Sequence, residues 1–270
     1  MKLSAIYIYP IKSCAGISLE QAELTGRGIA YDRRWMLVDQ EGKSLTQRES
    51  SEMALLQTAI DKQSLRIWHS RKKIAPLEIP LSIPKTQAMQ VELWGDIFEA
   101  SIYSEAANQW FSGIIGKACK LVYMHEESKR PVDPRYAIKD EIVSMADGYP
   151  YLIIGEAALA QLNQKLHAKG ESSIPMDRFR PNLVFSGGEA HAEDNWKELS
   201  IGKTRFAAVK PCARCIMTTI DQQTGQAGKE PLKTLNQYRR EGNKVLFGMN
   251  LLLLESGNLA VGNTIELIRT

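Results

Sequence analysis

Two cysteines three positions apart, Cys212 and Cys215, stand in the segment KPCARCIMTT, residues 210–219. A C-x-x-C pair performs thiol–disulfide exchange when it opens a helix after a strand, and binds zinc when a second ligand pair stands at similar spacing. Residues 215–220 read instead as a strand, which disfavours the exchange reading. The four histidines, His69, His125, His167 and His191, are scattered and supply no second pair. Lys210 and Arg214 flank the cysteines, and nearby positive charge favours thiolate over thiol. One soft thiolate beside an anion-binding surface suits a metal carried by an anionic, sulfur-containing cofactor. Cys14 and Cys119 are isolated and are expected to pack as small apolar side chains.

A second group of residues is dispersed but similar in type. Lys12 and Ser13 follow Tyr9-Pro10; Asp32-Arg33-Arg34 opens a strand-like run; Arg178-Phe179-Arg180-Pro181-Asn182 precedes another. Pro181 keeps those arginines out of a helix interior. Singly, each is an ordinary surface charge. Gathered at strand ends, cations with a hydroxyl and an amide hold a phosphate or a polar heterocycle through charge-assisted hydrogen bonds. Asp147, in MADGYPYL, has the surroundings of a turn aspartate.

The elements that must position these side chains are mostly short strands. Alternating or β-branched runs predict strands at 5–9, 34–38, 65–69, 88–93 and 97–102 in the first half, and at 182–185, 204–209, 215–220 and 264–268 in the second. Glycine turns at 26–28, 40–42 and 95–96 separate some of them. Ser104 is placed to cap a helix that buries Ala107, Trp110, Phe111, Ile114 and Ile115 and ends at Gly116. Further helices are expected over 156–168, ended by Gly170, and from Pro231. The charged, proline-bearing segment 124–140 reads as a solvated loop between two halves. The pattern predicts an α+β, mainly β chain of β-barrel type, not a doubly wound sheet.

With 270 residues, 44% apolar and 24% charged, the chain can bury a substantial core as one or two domains. Its net charge of +3 argues for neither a nucleic-acid nor an anionic-membrane partner. Four cysteines are too few for a disulfide scaffold. The N-terminal MKLSAIYIYPIKS lacks a signal-peptide pattern, and no apolar run nears the roughly 18 to 20 residues that span a bilayer. A cytoplasmic protein in a reducing compartment is expected.

Six segments, in order, resemble one family: YPIKSC (9–14), YDRRWMLV (31–38), MADGYPYLI (145–153), DRFRPNLVFSG (177–187), KPCARCIMTT (210–219) and GKEPLKTL (228–235). They are similar to MOSC proteins, in which a MOSC N-terminal β-barrel domain precedes the molybdenum cofactor sulfurase C-terminal domain. Within that family the chain resembles the mitochondrial amidoxime-reducing component and bacterial reductases of N-hydroxylated compounds.

The resemblance implies domains at 1–120 and 121–270 and a molybdopterin cofactor with mononuclear molybdenum. Cys215 falls at the family's metal ligand and Asp147 at its aspartate near the metal, where it or a water near it is expected to handle the proton that N–O cleavage needs. Lys12, Ser13, Arg33, Gly148, Tyr149, Arg180 and Asn182 fall at cofactor-holding positions, with Arg214 beside the ligand. The implied reaction is two-electron reduction of a small N-hydroxylated substrate, N–OH to N–H. One departure is Ala213, where the family often has serine. Another is the end at Thr270, with no ferredoxin-like domain, so electrons are expected from a separate ferredoxin- or flavin-type reductase. Two alternatives stand beside this: a sulfur carrier or cofactor-delivery protein using a Cys212 or Cys215 persulfide, and a zinc or disulfide module.

Overall fold

The computed structural model describes all 270 residues. Its main element is a nine-stranded sheet. The order across it is Ile17–Leu19, Lys2–Ile8, Leu183–Ser186, Tyr151–Gly155, Lys244–Glu255, Thr204–Arg214, Glu198–Ile201 and Ile265–Arg269, with Arg240–Glu241 paired to Lys244–Glu255 off this path. Tyr151–Gly155 and Leu183–Ser186 run parallel, joined through the helix Glu156–His167; the other pairings are antiparallel. The path curls back on itself. The N–H of Leu3 donates to Asn263 O and that of Ile265 to Met1 O, each at 2.9 Å, which brings the last strand to the first and leaves little free edge.

Alternation fills the interior. Tyr151 with Ile153, Leu183 with Phe185, Leu199 with Ile201, and Met249 with Leu251 each put every second side chain inward, where they meet Leu3, Ile6 and Ile8. Because Lys2–Ile8 lies in this sheet, the two halves of the sequence share one core.

The intervening residues build a second layer. A sheet of Ala88–Leu93, Asp96–Ile102, Lys120–Tyr123 and Trp35–Val38 and a three-stranded sheet of Leu56–Ile60, Ser64–His69 and Leu77–Pro80 flank the helix Glu105–Ile115. That helix runs as predicted: the N–H of Ala107 donates to Ser104 Oγ at 3.2 Å, and Gly116, at φ 72°, ends it in the left-handed region. Its Ala107, Phe111 and Ile114 pack with Trp35, Leu37, Leu65, Ile67 and Ile79. Cys14 and Cys119 lie in the same core, free thiols at 0% and 2% exposure.

Two expectations are corrected, and one strand goes unpredicted. Residues 216–219 form a 3-10 turn, not a strand: Thr218 Oγ1 donates to Cys215 O at 3.0 Å and Thr219 Oγ1 to Ile216 O at 2.8 Å, so hydroxyls claim carbonyls that a strand would offer to its neighbour. The segment 124–140 lacks regular structure but is not simply solvated, since Arg130 and Val132 are buried at 3% and 2% exposure. The longest strand, Lys244–Glu255, was not read as one, because Gly248 and Asn250 interrupt its apolar run. No helix is long and apolar enough to cross a membrane.

Candidate functional site

The strand Thr204–Arg214 loses register three times against Lys244–Glu255, between Arg205 and Phe206, between Ala208 and Lys210 and between Pro211 and Ala213. At the last of these Gly248 has φ 86°, and a Cβ there would meet Ile154 Cγ1 at 2.7 Å and Ile153 O at 2.9 Å. Bulges bend a strand and re-aim its side chains. Here they direct residues 212–215 into a cleft of about 110 Å³, where Cys215 stands as the N-cap of the 3-10 turn.

Lys12, Ser13, Arg33, Asp147, Gly148, Tyr149, Arg180, Asn182, Arg214 and Cys215 all line this cleft. Its back wall is a stack. The guanidinium groups of Arg33 and Arg180 each lie 4.2 Å from the ring centroid of buried Tyr9. Tyr9 is fixed by Asp32 Oδ1, which accepts its N–H at 2.8 Å, and by its hydroxyl donating to Pro181 O at 3.0 Å. Arg33 pairs with Asp32 Oδ2 at 2.7 Å and donates to Asn182 Oδ1 at 3.2 Å and Arg180 O at 3.1 Å.

Lys12, 7% exposed, donates to Asp147 Oδ1 at 2.7 Å and Met145 O at 3.1 Å. The Lys12 ammonium holds the Asp147 carboxyl far below the usual carboxylate range; hydrogen bonds from Lys12 and from Trp94 Nε1, at 3.2 Å, add to this. On Lys12 the balance differs: burial lowers its pKa and outweighs the carboxylate that would raise it. The Asp147 side chain is 76% exposed, into the cleft, so it stands there as an anion in reach of a ligand. It owes its place to Arg130, which donates to Ser144 O, Ala146 O and Asp147 O and pairs with Asp96 at 2.7 Å.

Strain and charge both concentrate here. Of six non-glycine residues with positive φ, four (Ser13, Arg33, Trp94 and Arg180) line this one cleft. Such backbone is retained at working sites, where the surroundings enforce it. Six cations face the cleft, and Arg48, Arg180 and Arg214 form no ion pair. Arg180 Nη2 and Arg214 Nε are buried without a hydrogen-bond partner. Nowhere do three or more His, Cys, Asp or Glu side chains converge on a common point.

The chain matches family models over nearly its whole length: the MOSC N-terminal beta barrel domain over residues 1–118 and the MOSC domain over 140–266. Human mitochondrial amidoxime-reducing component 1 is 34% identical, the alignment covering 98% of this chain and 82% of the human one. The chain belongs to the MOSC family. The mouse counterpart is 33% identical with the same coverage. The molybdenum cofactor sulfurase of Oryza sativa subsp. japonica is 35% identical over 92% of this chain, which spans only 32% of that longer protein.

Two details of this MOSC site differ from the reading of its sequence. Arg214 serves the other cysteine: its Nη1 donates to Cys212 Sγ at 2.9 Å, and its Nη2 to Phe179 O. Lys210 turns away, to within 4.4 Å of the Tyr136 ring centroid. Sequence reasoning missed Arg48 and Trp94. Arg48 Nη2 donates to Cys215 Sγ at 3.1 Å, while its guanidinium lies 4.3 Å from the Trp94 ring centroid. A signal was present: tryptophan before glycine is an unexpected choice for a tight hairpin turn.

Proposed function

We propose that this MOSC protein is a molybdenum cofactor-dependent oxidoreductase that reduces small N-hydroxylated compounds, N–OH to N–H. The supporting observation is the donor set of the cleft: two cysteine sulfurs, Cys212 taking a hydrogen bond from Arg214 and Cys215 one from Arg48, among cations of which three have no carboxylate partner. An anionic, phosphate-bearing cofactor fits such a surface, and the unpartnered Arg180 Nη2 and Arg214 Nε are donors in need of acceptors. Cys215 is the side chain for the metal; Arg33, Arg180, Ser13 and Asn182 are those for the pterin and phosphate, with Gly148 and Tyr149 alongside. When bound, the cofactor supplies a two-electron metal centre able to accept the oxygen of an N–OH group.

The chain's own residues do the rest. Two electrons and two protons convert N–OH to N–H and release water as the N–O bond breaks. Asp147, expected to handle a proton, is held as a carboxylate by Lys12; it accepts a hydrogen bond and orients the substrate, while Lys12 and water are the proton sources beside it. Lys12 and Arg33 already have carboxylate partners, so the neutralising charge for a phosphate comes chiefly from Arg180. Electrons come from a separate ferredoxin- or flavin-type reductase, and the protein works in the cytoplasm.

The sulfur-carrier reading draws on Cys212, whose sulfur receives the Arg214 hydrogen bond. One experiment separates the two. Protein from a host that makes the cofactor is assayed for molybdenum, pterin and persulfide, and for turnover of an amidoxime with an artificial electron donor. Roughly one metal per chain with turnover supports the reductase. A persulfide without turnover supports the carrier and ends the reductase reading.

A further inference from the structure

Beside the cysteine cleft lies a second cavity of about 610 Å³, and the two share Trp94, Asp147, Gly148, Tyr149, Cys212, Ala213 and Asn250. The segment read as a bland charged loop forms its far wall, through Arg130 to Pro134. Trp94 lines both spaces. It occupies the tip of a hairpin whose last pair is Leu93 with Asp96, so the loop is Trp94-Gly95. Both loop residues have positive φ, 57° and 90°, the pattern of a type I′ turn, which favours Asn-Gly. A bulky side chain there is disfavoured locally, and a local rule broken beside a working cleft points to function. Trp94 is also 45% exposed, although an indole this large is normally more covered.

We propose that Trp94, backed by Arg48, is a specificity-determining residue: a stacking shelf that holds the planar aromatic part of the substrate in the adjoining groove, with its N–OH group turned toward Cys215. This rests on the reductase reading above. Tyr149 lines the groove too, its ring 6.2 Å from that of Tyr136, so two sides of it are aromatic. The volume suits a small drug-sized ligand. Its charges favour a neutral one: Arg130 is paired with Asp96 and Arg135 with Asp133, and Lys210 lies against the tyrosines. An amidoxime is neutral at physiological pH, whereas the amidine it yields is a cation, for which the groove offers only carboxylates that already have partners.

The test compares benzamidoxime with acetamidoxime, which lacks the ring, on wild type and Trp94→Asn. Asparagine suits the turn, so the variant is expected to melt no lower than wild type. In protein free of cofactor, benzamidoxime should quench tryptophan fluorescence saturably in wild type and not in the variant; acetamidoxime should quench neither. In the loaded enzyme the preference for benzamidoxime, as a ratio of kcat/KM, should fall about tenfold, through KM, with molybdenum content unchanged. Trp94→Phe should restore most of it. Equal quenching in Trp94→Asn, or an unchanged ratio, overturns the shelf. If wild type reduces neither compound, the reductase reading fails, and the fluorescence titration alone then decides the groove.

Discussion

Cys212 and Cys215 differ by three positions in sequence and by their neighbours in space. Arg214 donates to the first and Arg48, from the other half of the chain, to the second. The proposal therefore separates them: Cys215→Ser should abolish amidoxime reduction, while Cys212→Ser should retain most of it. Equal losses in a steady-state assay would rule out a single-ligand role. Arg180 presents a different test, because its buried Nη2 has no protein acceptor. Arg180→Ala should lower the pterin content of purified protein, and unchanged content would remove it from the cofactor's contacts. At this scale the sequence was legible where chemistry follows residue type: Cys215, Lys12, Arg33, Arg180, Arg214 and Asp147 all line one cleft, although Lys210 does not. Arg48 and Trp94 were not legible, since a surface arginine and a turn tryptophan acquire meaning only when folding sets them against Cys215.

Elements carry their own consequences. The helix Glu105–Ile115 was legible because both its cap and its stop are local devices, and Ser104→Ala should cost about 1 kcal/mol in chemical denaturation. The turn after Cys215 was not, because the hydroxyls of Thr218 and Thr219 override the β-branched pattern. In the 3-10 turn Ala192–Asn195, burial pushes Glu193 up to about 7, against the hydrogen bond it accepts from the Gly155 N–H. The carboxyl is thus harder to ionise folded than unfolded. Its neutral form carries no penalty below the ordinary value of 4.5, and the cost of ionising it accumulates as pH rises toward 7, on the order of 3 kcal/mol when complete. Wild type should lose melting temperature between about pH 5 and about pH 8, and Glu193→Gln should lose less. Parallel curves would contradict this.

At the scale of the whole molecule, the family models divide the chain after residue 118, but the large sheet does not. Leu3, Ile6 and Ile8 are packed among residues 151–265, so a fragment 121–270 would open the barrel and expose that core. It is expected to show no cooperative thermal transition alone; a sharp transition would show that the second half folds independently. The mainly β class was readable from the many short strands. The closure was not, since the pairing of Lys2–Ile8 with Leu183–Ser186 spans most of the chain and leaves no local mark.

That same pairing sets an order of events during synthesis. The first strand leaves the ribosome early and then has no partner on its long edge until Leu183–Ser186 emerges, so much of the chain must wait. Ser4 illustrates the delay: its hydroxyl ends bonded to Val184 O, 180 residues later. Lys12 and Ser13 follow directly on that strand, so the cleft can take shape only once nearly the whole polypeptide exists. An incomplete chain of this protein would offer a cofactor no place to bind.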